Sequence, residues 1–298
     1  MPPRTLRPGQ ACQVWIHRVD TSESKLVFET RGILLEAPNW SLDGRDLILN
    51  GDGALWRLPV DAPELEQIRI TGTPDFNNDH VLDPDGKHVF LSTYDDWQIY
   101  RAPLTGGKAT QITNTKSKSN LLHFLHGVSP DGRELAFVGI QLNPNAPGFV
   151  LKSAEIFTIE VDGANMTQIT ATGAPADGPE YSPDGEWIYF NTEMFSGTAQ
   201  IARMRREGGD IERLTYAPTV DWFPHLAPSG KLAAYLAFPT GTKGHPADLP
   251  VDLKLVRDGL WHEAKTVARL FGGQGTINVN SWSPDSKSFA YVAYPMTA

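Results

Sequence analysis

A short turn-forming element recurs six times along the chain and constrains its fold more than any other feature. Its consensus is Ser-Pro-Asp-Gly, and the copies follow one another roughly every 40 to 55 residues, a period typical of repeated β-sheet units. Proline presets the first central turn position, aspartate tolerates the second, and glycine takes the left-handed position that ends the turn. The six copies begin at Ser41, Asp83, Ser129, Ser182, Ala227 and Ser283.

Short apolar strand patterns surround each copy of this turn. One strand precedes the turn, and a second follows it, as in residues 187–190. In the clearest units two more short strands come next, as in residues 98–101 and 110–113. Four short strands per unit are what a β-propeller blade requires. The predicted fold class is therefore all-β, a six-bladed β-propeller of four-stranded blades.

The last unit contains only two strands, and its missing pair lies at the start of the chain. Residues 13–17 and 25–29 match the third and fourth strands of the other blades. Pairing them in the last blade would remove the sheet edge that an open ring exposes. We therefore expect one propeller domain over residues 1–298, with blade six shared between 10–31 and 276–298.

The repeat resembles that of the TolB propeller and, more distantly, those of dipeptidyl-peptidase-type and WD-repeat propellers. This resemblance covers nearly the whole chain, but it implies a fold rather than an activity, because propellers host many unrelated functions. TolB proteins are periplasmic and carry an α/β domain before the propeller. Neither a leader nor that domain is visible in this sequence.

Charge and cysteine content exclude several classes of function. The formal net charge is -9, from 26 basic and 35 acidic residues, so a nucleic-acid partner is not expected. Cys12 is the only cysteine, which rules out an intrachain disulfide. No apolar run is long enough to span a bilayer, and no signal peptide is visible. The expected location is cytoplasmic, or periplasmic if a leader has been removed, without membrane insertion.

The inner strands of the blades supply the candidate binding residues. In a propeller the first strand of each blade lines the central channel and begins at the mouth opposite the repeated turns, where the long loops 141–154 and 239–252 also gather. When the six inner strands are aligned on the turn glycine, His80 and His126 occupy equivalent positions in neighbouring blades. The strand period of two then predicts which residues face the channel. The predicted ligand-binding residues are His80, His126, Asn280, Asn78, Asp177, Glu36, Trp222, Asn278, Glu180 and His225.

Several other residues near the channel have competing interpretations. A β-bulge would change which residues face inward. Asp79 is one of the residues that would then face the channel. His245 lies in the long loop of blade five and could reach over the channel, although an exposed loop position is the simpler interpretation. Trp40, Tyr181 and Trp282 each precede a turn, which favours packing between blades.

Two hypotheses about function remain open. The preferred one is a binding module that recognises a small, sugar-like polar ligand or a peptide or protein partner at the central channel. The alternative is a carbohydrate-active enzyme, in which His80 and His126 bind a divalent metal such as Mn, Ca or Zn. That alternative is similar to oligogalacturonate-lyase-type propellers, which are longer, have seven blades and contain a histidine cluster that this chain lacks. The sequence does not decide whether the protein is an enzyme.

Overall fold

The computed structural model describes residues 3–114 and 121–296, which form a ring of six β-sheet blades. Within each blade, neighbouring strands are antiparallel, and the first strand lies nearest the centre of the ring. The predicted six-bladed β-propeller is therefore confirmed. Among the described residues, no helix is long and apolar enough to cross a bilayer.

The first two strands of the chain, β1 (Cys12–Arg18) and β2 (Glu23–Thr30), precede blade one. Blades one and two follow, and a two-stranded parallel ladder between β7 (Ile70–Thr71) and β11 (Gly107–Lys108) connects them. Blade one contains β3 (Leu35–Trp40), β4 (Asp46–Gly51), β5 (Ala54–Pro59) and β6 (Glu66–Ile68), and is followed by β7 (Ile70–Thr71). Blade two contains β8 (Phe76–Leu82), β9 (His88–Thr93), β10 (Ile99–Pro103) and β12 (Thr110–Gln111), with β11 (Gly107–Lys108) between the last two.

Blades three to five repeat the same four-stranded order. Blade three contains β13 (Leu121–Val128), β14 (Glu134–Leu142), β15 (Leu151–Glu160) and β16 (Thr167–Gln168). Blade four contains β17 (Ala176–Tyr181), β18 (Trp187–Thr192), β19 (Gln200–Arg205) and β20 (Glu212–Arg213). Blade five contains β21 (Val220–Leu226), β22 (Leu232–Phe238), β23 (Ala247–Arg257), the 3-10 helix Trp261–Glu263 and β24 (Lys265–Gly273).

Blade six is assembled from both ends of the chain, as the sequence predicted. Strand β25 (Ser288–Ala293) pairs with β1, which in turn pairs with β2. The inner segment of this blade, residues 275–282, is irregular and joins β25 through a bridge between Trp282 and Phe289. Residues 1–2 and 297–298 of the predicted ranges lie outside the described residues.

The repeated turns connect the first and second strands of the blades. In blade three, the Ser129 hydroxyl donates to Asp131 Oδ1 at 2.6 Å and accepts the backbone N–H of Glu134 at 2.9 Å. Gly132 then closes the turn with a φ of 69°. The sixth copy ends in Ser286 instead, which adopts a φ of 60° in the same left-handed region. All six turns lie on one face of the ring, which we call the turn side; the opposite face is the loop side.

The hydrophobic core lies between neighbouring blades rather than at the centre of the ring. At the contact of blades five and six, for example, Phe238 and Leu253 form one buried cluster with Ile277 and Phe289. This packing leaves the central channel to the inner strands, whose buried residues are rich in polar side chains. The fold therefore concentrates buried charge along its axis.

Candidate functional site

A β-bulge in each inner strand of blades one to five decides which side chains reach the channel. In β21 the bulge is Phe223–Pro224, and φ at Phe223 is 57°. Proline cannot donate to a ladder, so within sheets it is confined to edges and bulges. The matching pairs are Ala37–Pro38 in β3 and Gly178–Pro179 in β17. A bulge adds a residue and so reverses the alternation of side chains beyond it. Residues at both odd and even strand positions therefore face the channel.

The bulges of blades two and three separate the two histidines that the sequence aligned. In β8 the bulge spans residues 77–79, and His80 is back in the ladder opposite Leu91. In β13 the bulge is His126 alone. His80 is fully buried with its Nε2 3.3 Å from the carbonyl oxygen of Ile48, and burial lowers its pKa to about 4. His80 therefore packs between blades one and two, whereas His126 joins the channel.

His126 lies at the centre of a buried cluster of charges. Its Nε2 is 3.3 Å from Asp177 Oδ1 and 3.9 Å from Asp79 Oδ1, and its Nδ1 is 3.1 Å from the carbonyl oxygen of Asn278. Burial lowers the pKa of His126, but the two carboxylates outweigh it and raise that pKa to about 9. Burial raises the pKa of Asp79 to about 7. At neutral pH, the cluster therefore contains an imidazolium held between two carboxyl groups.

A chain of side-chain contacts continues from this cluster across the loop side of the channel. His245 Nε2 lies 3.8 Å from Asp177 Oδ2, and His245 Nδ1 contacts Gln274 Oε1. Gln274 Nε2 donates to Asn78 Oδ1 at 3.2 Å, and Asn78 Nδ2 donates to Glu36 Oε1 at 3.4 Å. The structure thus connects Glu36, Asn78 and Asp177, three of the residues assigned to ligand binding, through His245 and Gln274.

Trp222 occupies the same end of the channel but does not offer a free face. Its ring centroid lies 4.3 Å from that of His245, and its side chain is buried. The Trp222 Nε1 atom is buried without a hydrogen-bond partner among the described residues. The loop of blade five therefore covers the aromatic surface that the sequence assigned to a ligand.

A second polar cluster lies toward the turn side. Glu180 Oε2 is 2.5 Å from His225 Nδ1, and Glu180 Oε1 accepts the backbone N–H of Leu226 at 2.8 Å. Asn280 Nδ2 donates to the same Oε1 at 2.7 Å. Asn39 Nδ2 donates to the Asn280 carbonyl oxygen at 2.7 Å, while Asn39 Oδ1 is buried without a partner among the described residues. These contacts hold the predicted residues Glu180, His225 and Asn280 together.

A cavity of about 400 Å³ opens above this second cluster, on the turn side of the ring. Asn39, Glu180, Asn280 and His126 contribute to its lining. Its rim contains the second residue of all six turn copies, which are Leu42, Pro84, Pro130, Pro183, Pro228 and Pro284. We call this space the turn-side cavity. It lies on the face opposite to the mouth that the sequence analysis favoured.

The aromatic residues that precede the turns also line this cavity. Trp40, Tyr181 and Trp282 pack between blades as expected, and each has an additional surface on the cavity. Their polar atoms are held by protein groups; for example, Trp282 Nε1 donates to the His225 carbonyl oxygen at 3.0 Å. The turn-side cavity therefore combines an apolar wall with a polar base.

The predicted pair of metal ligands does not fit a two-histidine centre. Among the described residues, the one group of His, Cys, Asp or Glu side chains close enough to hold a metal is Asp83, Asp85 and His88. Arg101 donates to both of those carboxylates at 2.8 Å and so already offsets one of their two negative charges. His80 and His126 belong to separate environments, and protein oxygens lie against their ring nitrogens.

The raised pKa of His126 predicts a specific loss of stability at alkaline pH. Its folded pKa of about 9 exceeds the ordinary value of 6.5, so the folded state holds a proton that the unfolded chain releases first. The resulting stabilisation is complete below pH 6.5 and is lost as the pH rises through 9. We expect Tm to fall over this interval, and His126→Gln to remove that part of the slope. Equal slopes for the two proteins would contradict the assignment.

Comparisons with known proteins agree with this architecture. Residues 127–248 match the model of the TolB β-propeller domain (PD40). An uncharacterized protein of Agrobacterium fabrum is 38% identical over 94% of this chain and 91% of its own length. The Tol-Pal system protein TolB of Francisella tularensis is 26% identical over 93% of this chain, which spans 61% of that protein. The solved structure of a candidate TolB from Agrobacterium tumefaciens is 36% identical, with a TM-score of 0.86 over 96% of this chain and 99% of that one. This chain therefore belongs to the TolB-like β-propeller family.

Proposed function

We propose that this propeller is a recognition module that binds a segment of a partner protein in the turn-side cavity. The observation that carries the proposal is the rim, where five prolines and Leu42 from six separate hairpins surround one cavity. A volume of about 400 Å³ falls in the range of ordinary ligand sites. The repeat that builds the fold thus also builds the proposed binding surface.

The chemistry of the rim favours an apolar side chain as the ligand group. Proline has a fixed φ and no N–H, so the rim presents a stiff apolar surface that loses little conformational freedom on binding. Beneath it, Trp40, Tyr181 and Trp282 supply aromatic walls. The unpartnered Oδ1 of Asn39 supplies an acceptor for an N–H group at the base.

The base of the cavity favours a protein segment over a sugar. A sugar site needs several free donors and acceptors, whereas both Glu180 oxygens and the Asn280 amide are already hydrogen-bonded within the protein. The name of the Francisella relative places that protein in the Tol-Pal system, which also favours a protein partner here. The lyase hypothesis has less support, because His80 lies apart from the channel cluster.

A peptide selection tests this proposal. Peptides selected from a displayed random library against the wild-type protein would be titrated calorimetrically against Leu42→Arg, and against Met166→Arg as a control. Leu42 is 52% exposed on the rim, and Met166 is 40% exposed outside the cavity, so both changes should leave the fold intact. We expect Leu42→Arg to weaken binding at least about tenfold, or about 1.4 kcal/mol, and Met166→Arg to have no effect.

The outcomes distinguish a peptide ligand in the turn-side cavity from a ligand bound elsewhere and from a saccharide. Peptides that bind wild type and Leu42→Arg equally would place the binding surface elsewhere and overturn the proposal. A panel of saccharides titrated in the same way provides the second arm. A saccharide whose binding is lost in Leu42→Arg, with no peptide behaving so, would favour the sugar-like ligand instead.

A further inference from the structure

The loop-side end of the channel already contains a cation supplied by the protein itself. Arg4 Nη1 donates to Glu36 Oε1 at 2.7 Å and to the carbonyl oxygen of Gln274 at 2.6 Å. Its guanidinium carbon lies 5.0 Å from the centre of the Tyr294 ring, within the distance for a cation–π contact. A carboxylate, a carbonyl and an aromatic face therefore surround one guanidinium group.

The groups that surround this guanidinium belong to the ring and not to the segment that carries Arg4. Glu36 lies on β3, and the Tyr294 hydroxyl is fixed by donating to the carbonyl oxygen of Leu35 at 2.8 Å. Gly275 permits the close approach of the blade-six backbone, since a Cβ there would lie 2.6 Å from Glu36 Oε1. The receptor for the cation is thus built by blades one and six.

By contrast, the segment before β1 lies outside the sheets and contacts the ring through the partly buried Leu6 side chain and the ion pairs of Arg4 and Arg7. Residues 3–9 belong to no strand, and the side chain of Arg7 is 63% exposed in its pair with Asp248. Arg4 keeps 24% of its side chain exposed, while Glu36 keeps 4%. Part of the Arg4 side chain therefore faces solvent, whereas its carboxylate partner is buried inside the protein.

The fit of Arg4 is also incomplete. Its Nη2 is buried without a hydrogen-bond partner among the described residues. Burial raises the pKa of the Glu36 carboxyl, so without a cation this group would take up a proton, whereas its ionised form favours a positive group at this position. The ionised form does not require that the positive group come from Arg4.

We propose that the loop-side mouth is a guanidinium-binding site that Arg4 occupies as a tethered ligand, and that an arginine side chain of another polypeptide or a free guanidinium compound takes its place. This site is separate from the turn-side cavity and does not depend on the function proposed there. A competitor can bind only during the fraction of time that Arg4 leaves the site free. Its apparent affinity is therefore its intrinsic affinity multiplied by that fraction. Removing Arg4 should therefore reveal the site.

The test uses the full chain with Arg4→Ala and methylguanidinium as the probe. We expect methylguanidinium to raise the Tm of Arg4→Ala in a saturable manner, and to bind it at least about tenfold more tightly than it binds wild type. The neutral analogue methylurea should produce no shift. Arg7→Ala, which removes a neighbouring exposed arginine, should behave like wild type.

Further arms assign the site and test whether an arginine side chain of a polypeptide can enter it. Adding Glu36→Gln to Arg4→Ala should abolish the response, because it removes the carboxylate. A short peptide with one arginine should compete with methylguanidinium, and its alanine counterpart should not. If Arg4→Ala does not fold, Arg4→Met retains the aliphatic stem and serves in its place. An Arg4 variant that folds but does not respond to methylguanidinium, or a response that persists with Glu36→Gln, would overturn the proposal.

Discussion

Deletion of residues 1–30 is expected to abolish cooperative folding and cause aggregation. The deletion removes β1 and β2, so β25 loses the partner that pairs along its length from Ser288 to Ala293. It also removes Cys12, Val14 and Ile16 from the buried cluster between blades six and one. An unpaired strand with an uncovered apolar face is a template for association with other chains. Size-exclusion chromatography and thermal melting would measure the effect.

A circular permutant provides the matched control for this deletion. New ends would be placed at the exposed residues 31 and 32, with residues 1–31 attached behind residue 298 through a flexible linker. Gln10 already forms a bridge with Met296, so residues 10 and 296 are neighbours on the two sides of this linker. We expect the permutant to remain monomeric and to melt cooperatively. A soluble, cooperatively melting deletion variant would contradict the closure of the ring by these strands.

The second large effect is expected from Glu180→Ala at the base of the turn-side cavity. The carboxylate accepts from Leu226 and Asn280 and lies 2.5 Å from His225 Nδ1, all in a buried site. Removing it leaves the Leu226 N–H and His225 Nδ1 buried without this partner, while Asn280 Nδ2 keeps only its bond to the Leu226 carbonyl oxygen. We therefore expect the free energy of unfolding to fall by about 3–5 kcal/mol. Denaturation by urea, followed by tryptophan fluorescence, would measure the change.

Two further variants identify the origin of that loss. Glu180→Gln keeps one oxygen for Leu226 and Asn280, and should cost less than the alanine change. Glu186→Ala removes an exposed carboxylate that is 2.9 Å from Arg205, and should cost less than about 1 kcal/mol. A Glu180→Ala variant as stable as Glu186→Ala would show that the buried cluster does not hold the blades together.

Local sequence patterns were enough to predict the ring. Each Ser-Pro-Asp-Gly copy specifies a hairpin through contacts within a few residues, as those of Ser129 with Asp131 and Glu134 show. The strands around it follow from apolar alternation. The two strands at the start of the chain belong to no complete blade, and blade six is the one blade that lacked two strands. Prediction succeeded here because each inference depended on neighbouring residues.

The channel was harder to predict because it depends on the length of each bulge. Aligning the inner strands on the turn glycine made His80 and His126 equivalent, although the bulge covers three residues in β8 and one in β13. Proline at Pro38, Pro179 and Pro224 did signal a bulge in the other three blades, since a ladder cannot include it. In blades two and three no proline marks the position.

Contacts between distant segments were beyond the reach of the sequence. The insertion of Arg4 beside Glu36 joins a segment outside the repeat to blade one, and Gln274 reaches Asn78 from the irregular start of blade six. The turn-side cavity was missed for a different reason. Its rim residues were assigned to turn formation alone, although the predicted ring already places all six turns at one mouth.

The pairing of β1 with β25 in blade six has a mechanical consequence. Gln13 pairs with Ala293 and Gln10 bridges Met296, so the two chain ends leave the ring side by side at one end of the β1–β25 ladder. A force that draws residues 10 and 296 apart therefore acts on that ladder from its edge and separates its pairs one after another. The same force applied parallel to the strands would instead act on all the hydrogen-bonded pairs of the ladder at the same time. When held by both ends, this propeller would unzip at blade six well before its other blades yield.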